Sequence, residues 1–385
     1  MLDGSPPPFR DPGPGLRAVA FYLPQFHPTP ENDAFWGAGF SEWRNVVQAR
    51  PRFRGHGQPH LPADLGFYDL RLAETRVAQA EMARAAGLSG FCYYHYWFGG
   101  RRVLHRPVDD MLSGAAPDFP FMLCWANENW TRAWDGGSRQ VILAQSYSDA
   151  DTRAHARHLA RAFHDPRAIR VNGRPVFAVY APSDLPDARR WSDIFRETCA
   201  EDGLDPYLVA VERHLDRDTR PPAEKGFDAA LEFQPFSRSF ADWQRSRATL
   251  GQRLVRRLTR EVRRVIALDR HIDMEAFVAF DLSRPRPAYT TFPGLCPSWD
   301  NSARRPRGRA IIFRGSSPAL FERWTREKTR AFAPPSAEEN LVFVNAWNEW
   351  AEGNHLEPCL GHGHAWLDAL RAGLGASVVR TQAML

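Results

Sequence analysis

The chain has 385 residues, 43% hydrophobic and 25% charged, with 50 basic and 45 acidic side chains and a formal charge of +5. That composition excludes disorder, collagen and coiled coil, and the length is enough to bury a sizeable core. Only Lys225 and Lys328 are lysines, so the small basic excess is arginine and argues for no nucleic-acid partner, and no apolar run approaches the ~20 residues of a membrane span.

Residues 1–16 read as a flexible Pro/Gly-rich arm. Met1-Leu2-Asp3-Gly4 and Pro6-Pro7-Pro8 supply neither a basic nor an apolar region of a secretory signal, so the expected location is cytoplasmic. Short apolar runs follow at 17–23, 89–95, 119–125, 174–180, 207–212, 228–233, 288–292 and 341–347. Most are nearly continuous Val, Ile, Phe, Leu, Tyr and Ala, the pattern of strands buried on both faces. Helical patterns lie between them, at 70–86 (Ala73, Val77 and Ala80 on one face), 149–164, 187–202, 317–332 and 363–373. Eight strands alternating with helices predict a (β/α)8 TIM-type barrel over 17–375, with a tail at 376–385. Two stacked doubly wound domains are the alternative, which the lack of a GxGxxG after any strand weakens. Residues 240–280 form an insertion between strands six and seven. There Leu250, Leu254, Leu258 and Val262 recur every four residues amid Arg253, Arg256, Arg257, Arg260, Arg263 and Arg264. That pattern fits a helix packed on the barrel with a solvated arginine face, or a peripheral membrane contact through 245–264.

Catalytic groups of such a barrel sit where its strands end. After the first strand come Tyr22, His27, Trp36 and Trp43; after the second, Tyr94, His95 and Trp97; after the third, Trp125, Asn127, Glu128, Trp130 and Trp134. Glu232 ends the sixth, Trp299 and Asp300 follow the seventh, and Trp347, Asn348, Glu349, Trp350 and Glu352 follow the eighth. Nine of the 13 tryptophans fall in these stretches. Indole faces beside amides and carboxylates suit sugar rings, although about half of the indoles are expected to cap the core instead. Glu349 and Glu352 are the sharpest signal, because cleaving a glycosidic bond takes two carboxyl groups. Glu128, in a second Asn-Glu pair, is read as catalytic, as a ligand of a sugar hydroxyl, or as structural. His27 and His95 are equally hydroxyl ligands or satisfied buried imidazoles. Walker A, HExxH and GxSxG patterns are absent, and the five scattered cysteines imply neither disulfides nor zinc. D-x-D at Asp149–Asp151 and Asp216–Asp218 carries no weight at this aspartate content, and His362-Gly363-His364 has no suitably spaced carboxylate, so no metal or cofactor is expected.

Across 17–360 the chain resembles the WbsX-type glycosyltransferase family, also called glycoside hydrolase family 99-like. The stretches that carry the likeness are FYLPQFHP, GFSEWRNV, HGQPHLPADLGFYDLR, GFCYYHYWFGG, PFMLCWANENWTRAWDG, SWDNSARR and NAWNEWAEGNHLEP. The resemblance implies a barrel acting on bacterial surface polysaccharide. In the retaining endo-acting α-mannan hydrolases that share the NEW-x-E-G segment, the residue matching Glu349 takes the proton of the sugar 2-hydroxyl. The residue matching Glu352 protonates the leaving oxygen and then activates water or an acceptor. A glycosyltransferase of O-antigen, capsule or lipopolysaccharide assembly, and a non-catalytic glycan-binding barrel, are the other readings. The 240–280 insertion departs from the pattern and leaves the acceptor side of the rim undefined.

Overall fold

The computed structural model describes residues 15–114, 116–132, 137–246 and 268–375. Nine parallel strands form a nearly closed barrel: β1 (Arg17–Tyr22), β2 (Leu88–Phe98), β3 (Phe121–Trp125), β4 (Arg174–Val179), β5 (Tyr207–Glu212), β6 (Ala229–Glu232), β7 (Thr291–Phe292), β8 (Gly294–Leu295) and β9 (Leu341–Val344). The spatial order is β7-β6-β5-β4-β3-β2-β1-β9-β8. The two ends of that order, β7 and β8, are halves of one stave interrupted by Pro293, which has no N–H to give a ladder. Ala230 N donates to Thr290 O at 2.9 Å on one side, and Phe343 N donates to Pro293 O at 2.9 Å on the other. A Cβ on Gly294 would sit 1.9 Å from Glu232 O, so the closure needs glycine there. The expected (β/α)8 architecture is present.

Helices cover the outside at Ala73–Ala85, Asp149–His164, Ala188–Ala200, Pro318–Ala331 and Ala365–Leu374. Ser148, Asp187 and Ser317 accept hydrogen bonds from the first-turn amides of the second, third and fourth, which is why these begin where they do. The first helix buries Arg76, Gln79, Ala80 and Ala83, so of the expected face only Ala80 turns inward. The polar members are there for a reason: Gln79 accepts from Tyr22 Oη and donates to Glu357.

Around the insertion, the described residues add a helix at Arg238–Ser246, a helix at Met274–Ser283 and a strand, Arg270–Asp273, that pairs in parallel with Ile311–Arg314. The arginine-rich pattern at 245–264 lies, beyond its first two residues, outside the described residues. So do most of the arm and the whole tail. Among the described residues no helix is long and apolar enough to cross a membrane.

Candidate active site

Two Asn-Glu pairs stand at the ends of β3 and β9, and both asparagines do the same job. Asn127 donates to Ala181 O at 2.8 Å and accepts from Ala181 N at 2.7 Å, just beyond β4. Asn348 donates to Leu23 O at 3.0 Å and accepts from Leu23 N at 2.8 Å, just beyond β1. A primary amide carries one donor side and one acceptor side, as a peptide does, so each asparagine extends the sheet by one rung. Both are fully buried. The glutamate that follows each one lines a cavity of about 430 Å³ at the C-terminal mouth of the barrel.

Glu349 and Glu352 share that cavity with Arg304, which follows the seventh stave. The Arg304 guanidinium pairs with Glu349, lies 3.5 Å from Glu352 and is 2.9 Å from Glu42, a fully buried carboxyl in the segment after β1. Gln25 donates to the other oxygen of Glu42. One cation therefore faces three carboxylates. Burial pushes Glu349 well above the ordinary carboxyl range; Arg304 opposes this, and the negative charges of Glu352 and Glu42 add to it. Glu42 is raised for the same first reason, burial, against the pull of Arg304. Burial works against the charge of Arg304, but Glu349, Glu352 and Glu42 outweigh it and push its pKa up.

The loop bearing the pair is held from below. Glu357 accepts from Tyr68 Oη at 2.7 Å, Gln79 Nε2 at 2.5 Å and Trp350 Nε1 at 2.8 Å, and Trp350 lies between the two cavity glutamates in sequence. Burial raises Glu357 to about 7 despite these donors. Gly353 closes the turn at φ 56°, and a Cβ there would meet Asp300 at 3.1 Å. Asp300 N in turn donates to Glu352 O at 2.7 Å.

Of the residues the sequence singles out, Tyr94, Glu128, Trp130, Trp299, Glu349 and Glu352 line the cavity. Glu128 pairs with Arg213, whose guanidinium also lies over the Tyr180 ring. The others do not reach it. Tyr22 donates to Gln79 at 2.6 Å. His27 is buried, and burial lowers it to about 4. Trp43 donates to Tyr68 O and packs on Trp350. His95 sits 2.9 Å from His155 and is lowered by burial to about 3. Trp97 donates to Asp151, Trp125 to Trp97 O, and Trp347 is fully buried against Phe91. Glu232 turns outward to Lys328 at 2.6 Å. Asp300 braces the turn: burial works against its charge, but hydrogen bonds from His56, Ser302 and Gln58 prevail and hold it at about 2. Trp36 packs with Phe40, and Trp134 lies outside the described residues.

The rim of indoles is thus mostly core, and the reason is the two-residue period of a strand. Tyr94, Tyr96 and Phe98 of β2 face the cavity, whereas Tyr93, His95 and Trp97 face the helices. The cavity wall is instead Tyr96, Phe98, Tyr180, Phe233 and Phe236 beside Tyr94, Trp130 and Trp299. Sequence reasoning missed these, together with Arg304, Glu42 and Gln25. Alternation along β2 puts Tyr96 on the same face as Tyr94, but only the structure shows that this face is the inner one. Two buried carboxylates call for a cation, but with 48 arginines in the chain nothing in the sequence singles out Arg304.

The family described as Glycosyltransferase WbsX matches residues 18–370. The uncharacterized protein WxcX of Xanthomonas campestris pv. campestris is 42% identical over 358 residues, which are 92% of this chain and 49% of that protein. The chain thus spans about half the length of the curated relatives it matches. Among solved structures, a glycoside hydrolase-like protein superposes with a TM-score of 0.58 at 15% identity, over 96% of this chain and 97% of the other. The GH99 endo-alpha-mannosidase from Bacteroides thetaiotaomicron superposes with a TM-score of 0.54 at 13% identity, over 93% and 96%. At these identities the likeness is one of fold.

Proposed function

This chain belongs to the WbsX glycosyltransferase family, a family of carbohydrate-active enzymes, and we propose that it is a retaining glycoside hydrolase or transglycosylase acting on bacterial surface polysaccharide. The observation that carries the reading is the meeting of Glu349 and Glu352 on one guanidinium in a cavity walled by tyrosine, phenylalanine and tryptophan rings.

In the proposed reaction, Glu349 takes the proton of the sugar 2-hydroxyl as that oxygen attacks the anomeric carbon. Glu352 protonates the departing glycosidic oxygen, which leaves a 1,2-anhydro sugar and a free chain end. Glu352, now a carboxylate, takes a proton from water or an acceptor hydroxyl, which opens the three-membered ring at the anomeric carbon. Glu349 returns its proton to the 2-oxygen, so both carboxyl groups end as they began. The burial that raises Glu349 makes its carboxylate the stronger base, and Arg304 keeps the ionised form accessible. Neither glutamate forms a bond to carbon, which suits a pair only three residues apart.

The test is incubation with the polysaccharide of the source organism, with and without cell extract, followed by mass spectrometry. New reducing ends indicate hydrolysis and chain growth indicates transfer. Glu349→Gln and Glu352→Gln should each lower the rate by about 10² to 10⁴. Rates within tenfold of wild type would overturn the assignment. The family description, Glycosyltransferase WbsX, supports transfer, and the second reading we draw from it is a cytoplasmic glycosyltransferase of polysaccharide assembly. Heat release on titration with sugar nucleotides would support it, and silence across a panel would remove it. Binding without turnover on the same glycans would leave a non-catalytic glycan-binding barrel.

A further inference from the structure

Among the described residues three guanidinium groups line the cavity, and two of them are spent. Arg304 is held by Glu349, Glu352 and Glu42. Arg213 pairs with Glu128 and with Asp216 at 3.0 Å while lying over Tyr180. In both cases burial works against the charge and the anionic neighbours more than repay it, so the proton is held more tightly than in free arginine.

Arg305 is different. It lines the same cavity and is half-buried, and among the described residues its side chain makes no hydrogen bond and has no carboxylate within ion-pair distance. Only its backbone carbonyl is engaged, by Arg52. Burial lowers its proton affinity below the ordinary guanidinium value, and the field of Glu352 only partly offsets this. Withdrawing a cation from water without a partner is costly, and an incoming anion recovers that cost. The charge sits in the cavity of Glu352, the group assigned to the leaving oxygen. Arg52, anchored to Asp269 at 2.8 Å and to the carbonyls of Ser302 and Arg305, braces the loop that presents it.

We propose that Arg305 is an oxyanion subsite, and that the sugar this cavity takes carries a negative charge. The inference rests on the reading of the cavity as a sugar site. A carboxylate on a uronic acid and a phosphate on an activated or phosphorylated sugar share the required chemistry. Both offer paired oxygens to the planar fork of a guanidinium.

The test uses three probes on the full chain, glucose, glucuronic acid and glucose 1-phosphate, titrated at low ionic strength and followed by protein NMR. Wild type should bind at least one charged probe about tenfold tighter than glucose, with the advantage shrinking as salt is added. Arg305→Gln should bring all three affinities together with glucose unchanged, and Arg305→Lys should retain part of the preference. Preference for glucuronic acid alone assigns a uronate, and preference for glucose 1-phosphate alone assigns a phosphate. Glucose binding with no preference for either charged probe, or a preference that survives Arg305→Gln, overturns the subsite and leaves the sugar reading standing. If none of the three binds, both readings fall. A thermal melt of each variant checks that the fold is retained.

Discussion

Replacing Arg304 with methionine is the sharpest perturbation of the carboxylate cluster. The substitution keeps an unbranched apolar stem and removes the cation that Glu349, Glu352 and Glu42 share. Side-chain exposure is 9% for Arg304, 10% for Glu349 and 14% for Glu352, so little of the interaction is screened by solvent. Breaking a buried pair from one side costs about 3–5 kcal/mol. With an unfolding entropy of about 2.1 cal/mol/K per residue, a chain of 385 residues should lose roughly 4–6 °C in Tm. The loss should depend on pH. Glu349 and Glu42 already have folded-state pKa values above the ordinary 4.5, so each contributes stability below that value and loses it as pH rises through its folded pKa. Without Arg304 both rise further. The variant should therefore lie close to wild type near pH 4.5 and fall away toward pH 8. Activity should drop as well, with its acidic limb moved to higher pH, because the proposed reaction needs Glu349 ionised. Calorimetric melts of both proteins from pH 4.5 to 8 measure the first effect. A deficit that is absent at pH 8, or the same at every pH, would refute the reasoning.

Other substitutions separate support from chemistry. Asn348→Ala strands the buried amide and carbonyl of Leu23, at about 1–3 kcal/mol for each, and displaces Glu349. Its turnover should fall by about 10². Asn127→Ala should cost similar stability through Ala181 but far less turnover, because the proposed reaction does not use Glu128; equal losses would place Glu128 in the chemistry. Trp347→Ala should lower stability by about 3–5 kcal/mol and leave KM unchanged, since the ring never sees the cavity. Trp299→Ala should raise KM roughly threefold to tenfold by removing a stacking face, and steady-state kinetics on the folded fraction distinguishes the two. Glu357 is raised to about 7 by burial, so it favours the folded state below about pH 4.5 and loses that contribution as pH rises through about 7. Glu357→Gln does not titrate, so in denaturant titrations the variant should gain stability relative to wild type across that interval; a relative stability that stays constant or falls would refute this.

The cavity also shows how a pair three residues apart can be exposed to substrate and yet be held firmly. Asn348 fixes one side of the pair to β1, Glu357 fixes Trp350 between them, and Asp300 N fixes the Glu352 carbonyl. The first and last of these join the ends of different staves, and Glu357 is itself tied to Tyr68 and Gln79 in the segment after β1, so the carboxyl groups are placed by the barrel rather than by their own short loop.

Local properties of the chain were enough for the architecture. Continuous apolar runs have to be strands buried on both faces, and the helix expected at 149–164 runs Asp149–His164 because Ser148 caps it and its apolar residues repeat at the helical period. The Glu349 and Glu352 pair was legible too, since both members lie within four consecutive residues. The facing of each strand was not. A shift of one residue exchanges the two faces, so whether Tyr96 or Trp97 looks into the barrel depends on the register of the whole sheet, and most of the indoles went to the outer side. Nor could the chain alone say that Glu42, Arg304 and Glu349 would meet, because they come from three separate stave ends and only closure of the barrel brings them together. Composition and periodicity act over a few residues and can be read in one dimension; the balance of charge in a buried cavity is set by neighbours distant in sequence, and it exists only after folding.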